Sequence, residues 1–325
     1  KIEIWILYLV VLIGIPITIG FGALVRHEIF GGKKFGIVPE TALFLAEIPL
    51  NIKKIFRNEL LVKDRFPNLD AFDGTPNSQE SYLLLSKYDG DLKEAIVELV
   101  DLNNFKVLHT WNPDIDEFNK SVKKIDELKY ISRDNNNSRY QIRHPILLKD
   151  GGLVFKHISP LVKIDACSNL VFQNQDDLFH HSIETDIEGN IWVPSYIYPQ
   201  SLPIEKVGRK VIATKTDEGF YDDAITKLSP DGEILFQKSL SQIFIDNGLE
   251  YLLFSVGARE FDFNIDPIHM NDIQPVDFDG DFWKRGDVFL SLRSQSMVLL
   301  YRPSINKIIW KGTGPFFHQH DVDIL

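Results

Sequence analysis

A chain of 325 residues that is 44% hydrophobic can bury a large core, as one big β domain or two smaller ones, and its composition excludes a disordered chain. A formal net charge of −11, with no long run of Lys and Arg, argues against a nucleic-acid partner, because holding phosphates requires a basic face. The single cysteine, Cys167, excludes an intrachain disulfide and a cysteine-built zinc site, and it reads as a small buried hydrophobe.

Residues 4–25, "IWILYLVVLIGIPITIGFGALV", carry no charge. As a helix they span roughly 33 Å, enough to cross a bilayer, whereas the apolar region of a signal peptide is about half as long. The segment predicts a transmembrane anchor over residues 1–28. Arg26, Lys33 and Lys34 follow it and only Lys1 precedes it, so a literal charge count puts the positive side after the helix. Residues 29–80 read as a juxtamembrane linker. Within it 41–60, "TALFLAEIPLNIKKIFRNEL", predicts a helix with leucines and isoleucines on one side and Lys53, Lys54 and Arg57 near its end. Such a helix suits the membrane surface or packs on the following domain.

From residue 82 onward the pattern is β and it repeats. Each unit opens with alternating apolar residues, turns at an Asp-Gly or Gly-rich dipeptide, and closes on an aromatic. The units run to Trp111, to Phe172, to Phe236 and to Trp310. Four four-stranded meanders with insertions between strands fit a β-propeller over 81–325 better than a sandwich, since a propeller repeats one supersecondary unit around an axis. A fifth unit opens at "HQHDVDIL", which implies further blades beyond Leu325. The insertion at 112–128 places Ile115, Phe118, Val122 and Ile125 at helical spacing. A second, at 198–223, is broken by proline and charge and projects from one rim. "DFDGDF" at 277–282 reads as a hairpin turn, because its glycine comes too early for a calcium loop.

The histidines follow this repeat. His144, His181 and His269 stand at or beside the first strand of successive units, and His320 does so for the incomplete one. First strands of propeller blades line the central channel, so these imidazoles converge there. In "HMND" at 269–272, residues i and i+2 of an alternating strand point the same way, which pairs His269 with Asn271, and Arg293 follows in the next strand. A lone inner-strand histidine bonds a neighbouring backbone; recurrence beside Asn271 and Arg293 points to a site.

These residues are also where the chain resembles the arylsulfate sulfotransferases, six-bladed propellers of bacterial envelopes, over roughly residues 80–325. The resemblance is carried by "HHSIETDIEGNIWVP", by "HMND…GDVFLSLRSQSMVLLYRP…KIIW" and by "FHQHDVDIL". It implies a sulfuryl group moved from an aryl sulfate to a phenol through a sulfohistidine, without a nucleotide sulfate donor. It makes His320 the nucleophile, His269 a sulfuryl-binding and catalytic imidazole, Arg293 the anion clamp and His181 the remaining imidazole, with Asn271, His180 and His318 binding substrate. It implies no metal and no cofactor, and a propeller on the periplasmic side of the bacterial inner membrane, held by residues 4–25. Partners are then the aryl sulfate donor and phenolic acceptor, with a homo-oligomer or a membrane-complex partner left open. The retained anchor departs from the cleaved leader usual in the family.

The residue types suit that chemistry. A sulfuryl ester leaves through a loose transition state and carries one negative charge, so arginine and imidazolium can neutralise it without magnesium. One imidazole must be neutral to attack sulfur and another protonated for the departing oxygen, and Arg293 depresses the pKa of an imidazole beside it. Two other readings stay open. One is a metal site of "HQH" at 318–320 with His181 and His269, against which the fixed charge of Arg293 counts. The other is a catalytically idle propeller serving as a binding or assembly subunit.

Overall fold

A computed structural model describes residues 3–29, 35–56, 72, 74–122, 136–202, 220–254 and 266–324. Helix α1 (Ile4–Ile29) is uncharged as far as Val25, carries Arg26, His27 and Glu28 in its last turn, and buries none of its residues. It is long and apolar enough to cross a membrane, a test that a signal sequence also passes. Helix α2 (Ile37–Phe56) begins four residues before the expected start, because Pro39 falls in its first turn, where a missing N–H costs nothing. It packs against α1, burying Ala42 and leaving Phe44 and Leu45 exposed. Arg57 lies outside the described residues.

Four antiparallel sheets follow in chain order. The first holds β1 (Tyr82–Asp89), β2 (Glu94–Asp101) and β3 (Lys106–Trp111), one strand fewer than the repeat suggests. The second is the meander β4 (Arg143–Leu147), β5 (Leu153–Lys156), β6 (Leu161–Ile164) and β7 (Leu170–Asn174). In the third, the first strand is split into β8 (Leu178–Phe179) and β9 (Glu184–Thr185). Both pair with β10 (Ile191–Tyr196), which continues to β11 (Asp223–Leu228) and β12 (Ile234–Ser239). The fourth holds β13 (Met270–Pro275), β14 (Val288–Leu292), β15 (Met297–Arg302) and β16 (Lys307–Gly312).

Period-two alternation makes each inner sheet two-faced. On β5, Leu153 and Phe155 pack with Val97 and Trp111 of the first sheet, whereas Val154 packs with Ile191 and Val193 of the third. On β10, Trp192 turns the other way and joins Ile225, Leu290 and Leu299 in a cluster shared with the fourth sheet. Successive sheets therefore stack face to face over three apolar layers, each fully buried large side chain contributing about 1.5–3 kcal/mol. Stacking also brings first strands together: β4 lies beside β1, and β13 beside β9 and β10.

The insertions differ in extent from their sequence pattern. Helix α3 covers only Ile115–Phe118, capped by Asp114 and continued by a 3-10 turn; Ile115 and Phe118 are buried, and Ile125 lies outside the described residues. A further helix, α4 (Leu240–Asp246), packs Leu240, Ile243 and Phe244 into the layer between the last two sheets. Residues 277–282 connect β13 to β14, with Asp277 accepting from the Ile187 N–H and Asp279 from the Arg285 N–H. Cys167 is exposed rather than buried. It stands in the tight turn before β7, where Asp165 accepts the N–H groups of Cys167 and Asn169 and Ser168 takes a φ of 67°, so its side chain faces away from both layers.

Candidate functional site

Every first strand after the first sheet is interrupted at a histidine. Arg143 pairs with Lys156 and Ile146 with Val154, so one extra residue is accommodated at His144 and Pro145. Met270 pairs with Leu292 and Asp272 with Ser291, which leaves Asn271 as a bulge. In the third sheet His180–Ile183 loops out between β8 and β9. At each interruption the histidine adopts a left-handed backbone: φ is 46° at His144, 54° at His181 and 54° at His269. His318, in the segment after β16, repeats this at 51°. Such conformations cost about 1–3 kcal/mol each in a non-glycine residue and gather at functional sites, as do bulges that re-aim a side chain. His318 rather than His320 therefore holds the repeating position. His320 stands two residues on, as Asn271 does after His269.

The bulge overturns the simple pairing of His269 with Asn271. Asn271 is 1% exposed and its Nδ2 donates to the Gln319 carbonyl at 2.9 Å. Gln319 in turn donates to the Leu292 and Met297 carbonyls, so Asn271 docks the 318–320 segment onto the fourth sheet. His269 instead meets His181 of the third sheet, ring centroids 4.8 Å apart. His181 also faces His180, with Nδ1 to Nδ1 at 2.7 Å, and its carbonyl accepts from Nζ of the buried Lys156. His180 is buried, stacks on Tyr196 at 4.0 Å, and sets Nε2 3.3 Å from Oδ1 of Asp223. Asp223 accepts the His269 N–H at 3.0 Å and the Met270 N–H at 3.2 Å, fixing the left-handed turn, while Asp266 is hydrogen-bonded to Nδ1 of His269. The Arg293 N–H donates to the His269 carbonyl at 3.0 Å, and the Arg293 charge reaches His318. His320 is exposed, and its charge is felt at His144, His181 and His318.

The site is electrically divided. Burial, then the neighbouring His269, Lys156, His320 and His144, hold His181 down to about 3, and burial together with His181 and Lys156 holds His180 well below the usual imidazole range. Burial likewise lowers His144 and His318, helped by Lys156 at the first and Arg293 at the second. Lys156 itself is pushed down to about 7 by burial, with Arg143 adding to the shift. The carboxyls move the other way. Burial and the charges of Asp272, Asp321 and Asp323 raise Glu184 to about 8, and burial with Asp321 raises Asp272 to about 7. Burial and Asp266 raise Asp223, against the pull of the Met270 N–H. At neutral pH the four shifted imidazoles are uncharged, and each keeps one unprotonated ring nitrogen.

Among the described residues no group of three His, Cys, Asp or Glu side chains is placed to hold a metal ion. Several buried polar atoms around the cluster lack a hydrogen-bond partner: Oδ1 of Asn271, Oδ1 of Asp272, and the hydroxyls of Ser182 and Ser291. Lys156, Asp223, Asp266 and Tyr196 belong to the arrangement and were not legible as site residues. Lys156 had a signal, since alternation along "LVFK" puts it on the buried face of Val154. Asp223 had a weaker one, two acids opening an otherwise apolar strand in "YDDAITKL".

Residues 144–325 match the family model described as arylsulfotransferase (ASST); this is more than half of the chain, and the chain belongs to that family. No curated protein matches it. Among solved structures, Kuenenia stuttgartiensis hydrazine synthase is similar at 12% identity over 70% of this chain and 51% of that one, with a TM-score of 0.37. A Bacteroides caccae protein of unknown function is similar at 11% identity over 71% and 56%, with a TM-score of 0.32. The chain spans about half the length of these two structures.

Proposed function

We propose that this arylsulfotransferase-family chain moves a sulfuryl group from an aryl sulfate to a phenolic acceptor through a sulfohistidine on His320. Residues 1–28 anchor it, 29–80 link it along the membrane, and 81–325 form part of a six-bladed propeller on the periplasmic side of a bacterial inner membrane. The observation that carries this reading, in a chain of this family, is the meeting of His181 and His269 from adjacent sheets beside Arg293 and the docked 318–320 segment.

In the first half-reaction an imidazole nitrogen of His320 attacks sulfur, the sulfur–oxygen bond to the aryl group breaks, and the departing oxygen takes a proton from a second, protonated imidazole of the lining, which the acceptor phenol reprotonates in the second half-reaction. In the second, the acceptor phenol gives up its proton as its oxygen attacks sulfur and the nitrogen–sulfur bond breaks. The Arg293 guanidinium holds two sulfonate oxygens as a planar fork, and no carboxylate is paired with it among the described residues. His269, His180, His318 and Asn271 complete the lining, and the reaction draws on no cofactor. Preorganised donors of this kind are each worth about 10²–10³ in rate.

The test is transfer from 4-nitrophenyl sulfate to phenol by the full chain. His320→Ala should abolish it with the melting temperature unchanged, and Arg293→Lys should lower it about 10–100-fold, since lysine keeps the charge and loses the fork. No transfer by the wild-type chain would sink the enzyme reading and leave a binding or assembly subunit, and transfer by both variants at the wild-type rate would remove His320 and Arg293 from the chemistry. Orientation is checked separately: protease added to spheroplasts should digest the propeller, and protection would reverse it.

A further inference from the structure

We propose that the histidine junction opens toward the bilayer and that its acceptor is a membrane-held phenol, an amphiphile whose phenolic ring lies in the headgroup layer. The inference rests on the sulfuryl-transfer and anchor readings above and names the acceptor class for them.

The argument starts from where the N-terminal helices meet the sheets. His144, His181 and His269 stand at or beside the starts of their first strands, and those starts share one end of the stack. Arg139, five residues before His144, donates from Nη1 to the carbonyl of Ile29, the last residue of α1, at 2.7 Å. Its own place is fixed by a turn in which the Arg139 and Tyr140 N–H groups donate to the Asn136 carbonyl, and by the buried Tyr140 ring, packed on Phe155 and His157. A second attachment lies beyond α2, where Phe72 stacks on Phe105 with ring centroids 5.6 Å apart. Phe105 immediately precedes β3, and Trp111 at the other end of that strand bonds the Gly151 carbonyl in the turn from β4 to β5. That turn is remote from the start of β4, so Phe105 belongs to the histidine end. On both sides of the α1–α2 pair the chain therefore joins the sheets at the end where the histidines open.

The consequence is one of distance. Five residues of chain span at most about 18 Å, so Arg139 holds the end of an apolar helix close to His144. Helix α1 packs on α2 and buries none of its own residues, so it leaves the stack rather than lying against it. A bilayer crossed by α1 meets the stack at the histidine end, across a headgroup layer about 5–8 Å deep. Aromatic rings line that approach. Tyr196 stacks on the buried His180 at 4.0 Å and on the exposed Tyr221 at 4.9 Å, and Phe317, 78% exposed, stacks on His318 at 3.7 Å. Rings in such a position suit the level of the headgroups.

Of the two substrates, the acceptor is the one that belongs in a bilayer. A phenol is uncharged below about pH 10, whereas an aryl sulfate carries a full negative charge and arrives from water. In the second half-reaction the phenol O–H bond breaks as its proton passes to the imidazole left neutral by the first. The phenol oxygen bonds to sulfur, and the bond from sulfur to the His320 nitrogen breaks with its electron pair returning to nitrogen. The product is an aryl sulfate still held by its apolar tail, with its new charge at the membrane surface.

The orientation is tested without turnover by energy transfer to a rhodamine-labelled lipid, with the full chain reconstituted in phosphatidylcholine vesicles. Cys167, the chain's single cysteine, is exposed in the turn from β6 to β7, at the end remote from the histidines, and takes a donor fluorophore as it stands. Ile158 is exposed in the turn after β5, whose last residue pairs with Arg143 at the histidine end, and Ile158→Cys in a Cys167→Ser chain takes the same fluorophore there. Transfer to the lipid should be the more efficient from position 158; equal or greater efficiency from Cys167 would overturn the proposal. Kinetics in the same vesicles test the acceptor, with 4-nitrophenyl sulfate as donor. At equal total concentration 4-dodecylphenol should be sulfated about 10-fold faster than phenol or more, because its chain concentrates it in the bilayer, and its rate should fall as further lipid dilutes it there. Phenol sulfated as fast as dodecylphenol, or faster, would overturn the inference and leave the sulfuryl-transfer reading standing. A wild-type chain that sulfates neither would sink that reading and the acceptor with it.

Discussion

The junction between the first two sheets and the junction between the last two are built on the same stacking and spend their polar groups differently. At the first, the sheets are tied by side chains that cap backbone carbonyls: the Ser86 hydroxyl donates to the Ile142 carbonyl at 2.6 Å and Trp111 Nε1 to the Gly151 carbonyl at 3.1 Å. Between them lies an apolar layer of Val97, Trp111, Leu153 and Phe155, closed by the buried ring of Tyr140. At the second, interrupted strands present His181 and His269 in left-handed conformations beside the bulged Asn271, and buried oxygens of Asn271, Asp272, Ser182 and Ser291 go without partners. Buried polar groups are normally satisfied, so a junction that leaves several open is organised around something other than stability. Stacking alone makes the first junction, and the second adds open polar groups to it.

If that division is right, the two junctions respond to different perturbations. The largest expected effect on stability is at the first: Phe155→Ala should cost about 3–5 kcal/mol by denaturant titration while leaving the histidine ¹⁵N spectrum unchanged. A spectrum that changed with it would mean that the two junctions are one unit.

The next effects are pH-dependent and belong to the histidine side. Lys156 is held near 7 when folded and returns to 10.5 when unfolded. Below about pH 7 both states hold its proton, and above that only the unfolded chain does. Wild-type stability should therefore rise as pH climbs from about 7 toward 10.5, by at most about 1.4 kcal/mol per unit, and Lys156→Met should abolish that rise. Asp272 has the opposite sign, with a folded carboxyl near 7 against 3.8 unfolded. As pH climbs from about 4 to about 7 only the folded state keeps the proton and stability falls. Asp272→Asn should flatten that branch in thermal melts across pH. The smallest effect returns to the first junction: Ser86→Ala should cost about 1 kcal/mol, equally at every pH.

Much of this comparison could be read from the chain itself, because strands announce themselves by alternation and turns by glycine. Asp231–Gly232 turns between β11 and β12 with Gly232 at a φ of 86°, and an added Cβ there would strike the Phe172 ring. The four aromatic-terminated units, the apolar N-terminal helix and the recurring histidines were legible in that way. The bulges were not, since whether a strand gains a residue depends on its partner's register; alternation therefore put His269 and Asn271 on one face where the fold separates them. Lys156 and Asp223 were hidden because charge in a strand ordinarily signals an exposed edge, and only the next sheet in the stack buries each of them, the third over Lys156 and the fourth over Asp223. Cys167 went the other way, its turn being set by Asp165 and Asn169 rather than by hydrophobicity.

The central claim is that the histidine junction carries a covalent sulfuryl group. Mass spectrometry of the wild-type chain mixed with 4-nitrophenyl sulfate, quenched and digested, reads this directly. The account predicts one sulfuryl adduct, on the peptide containing His320 and on that residue. An adduct on His181 or His269, or release of nitrophenol with no adduct on any histidine, would contradict it.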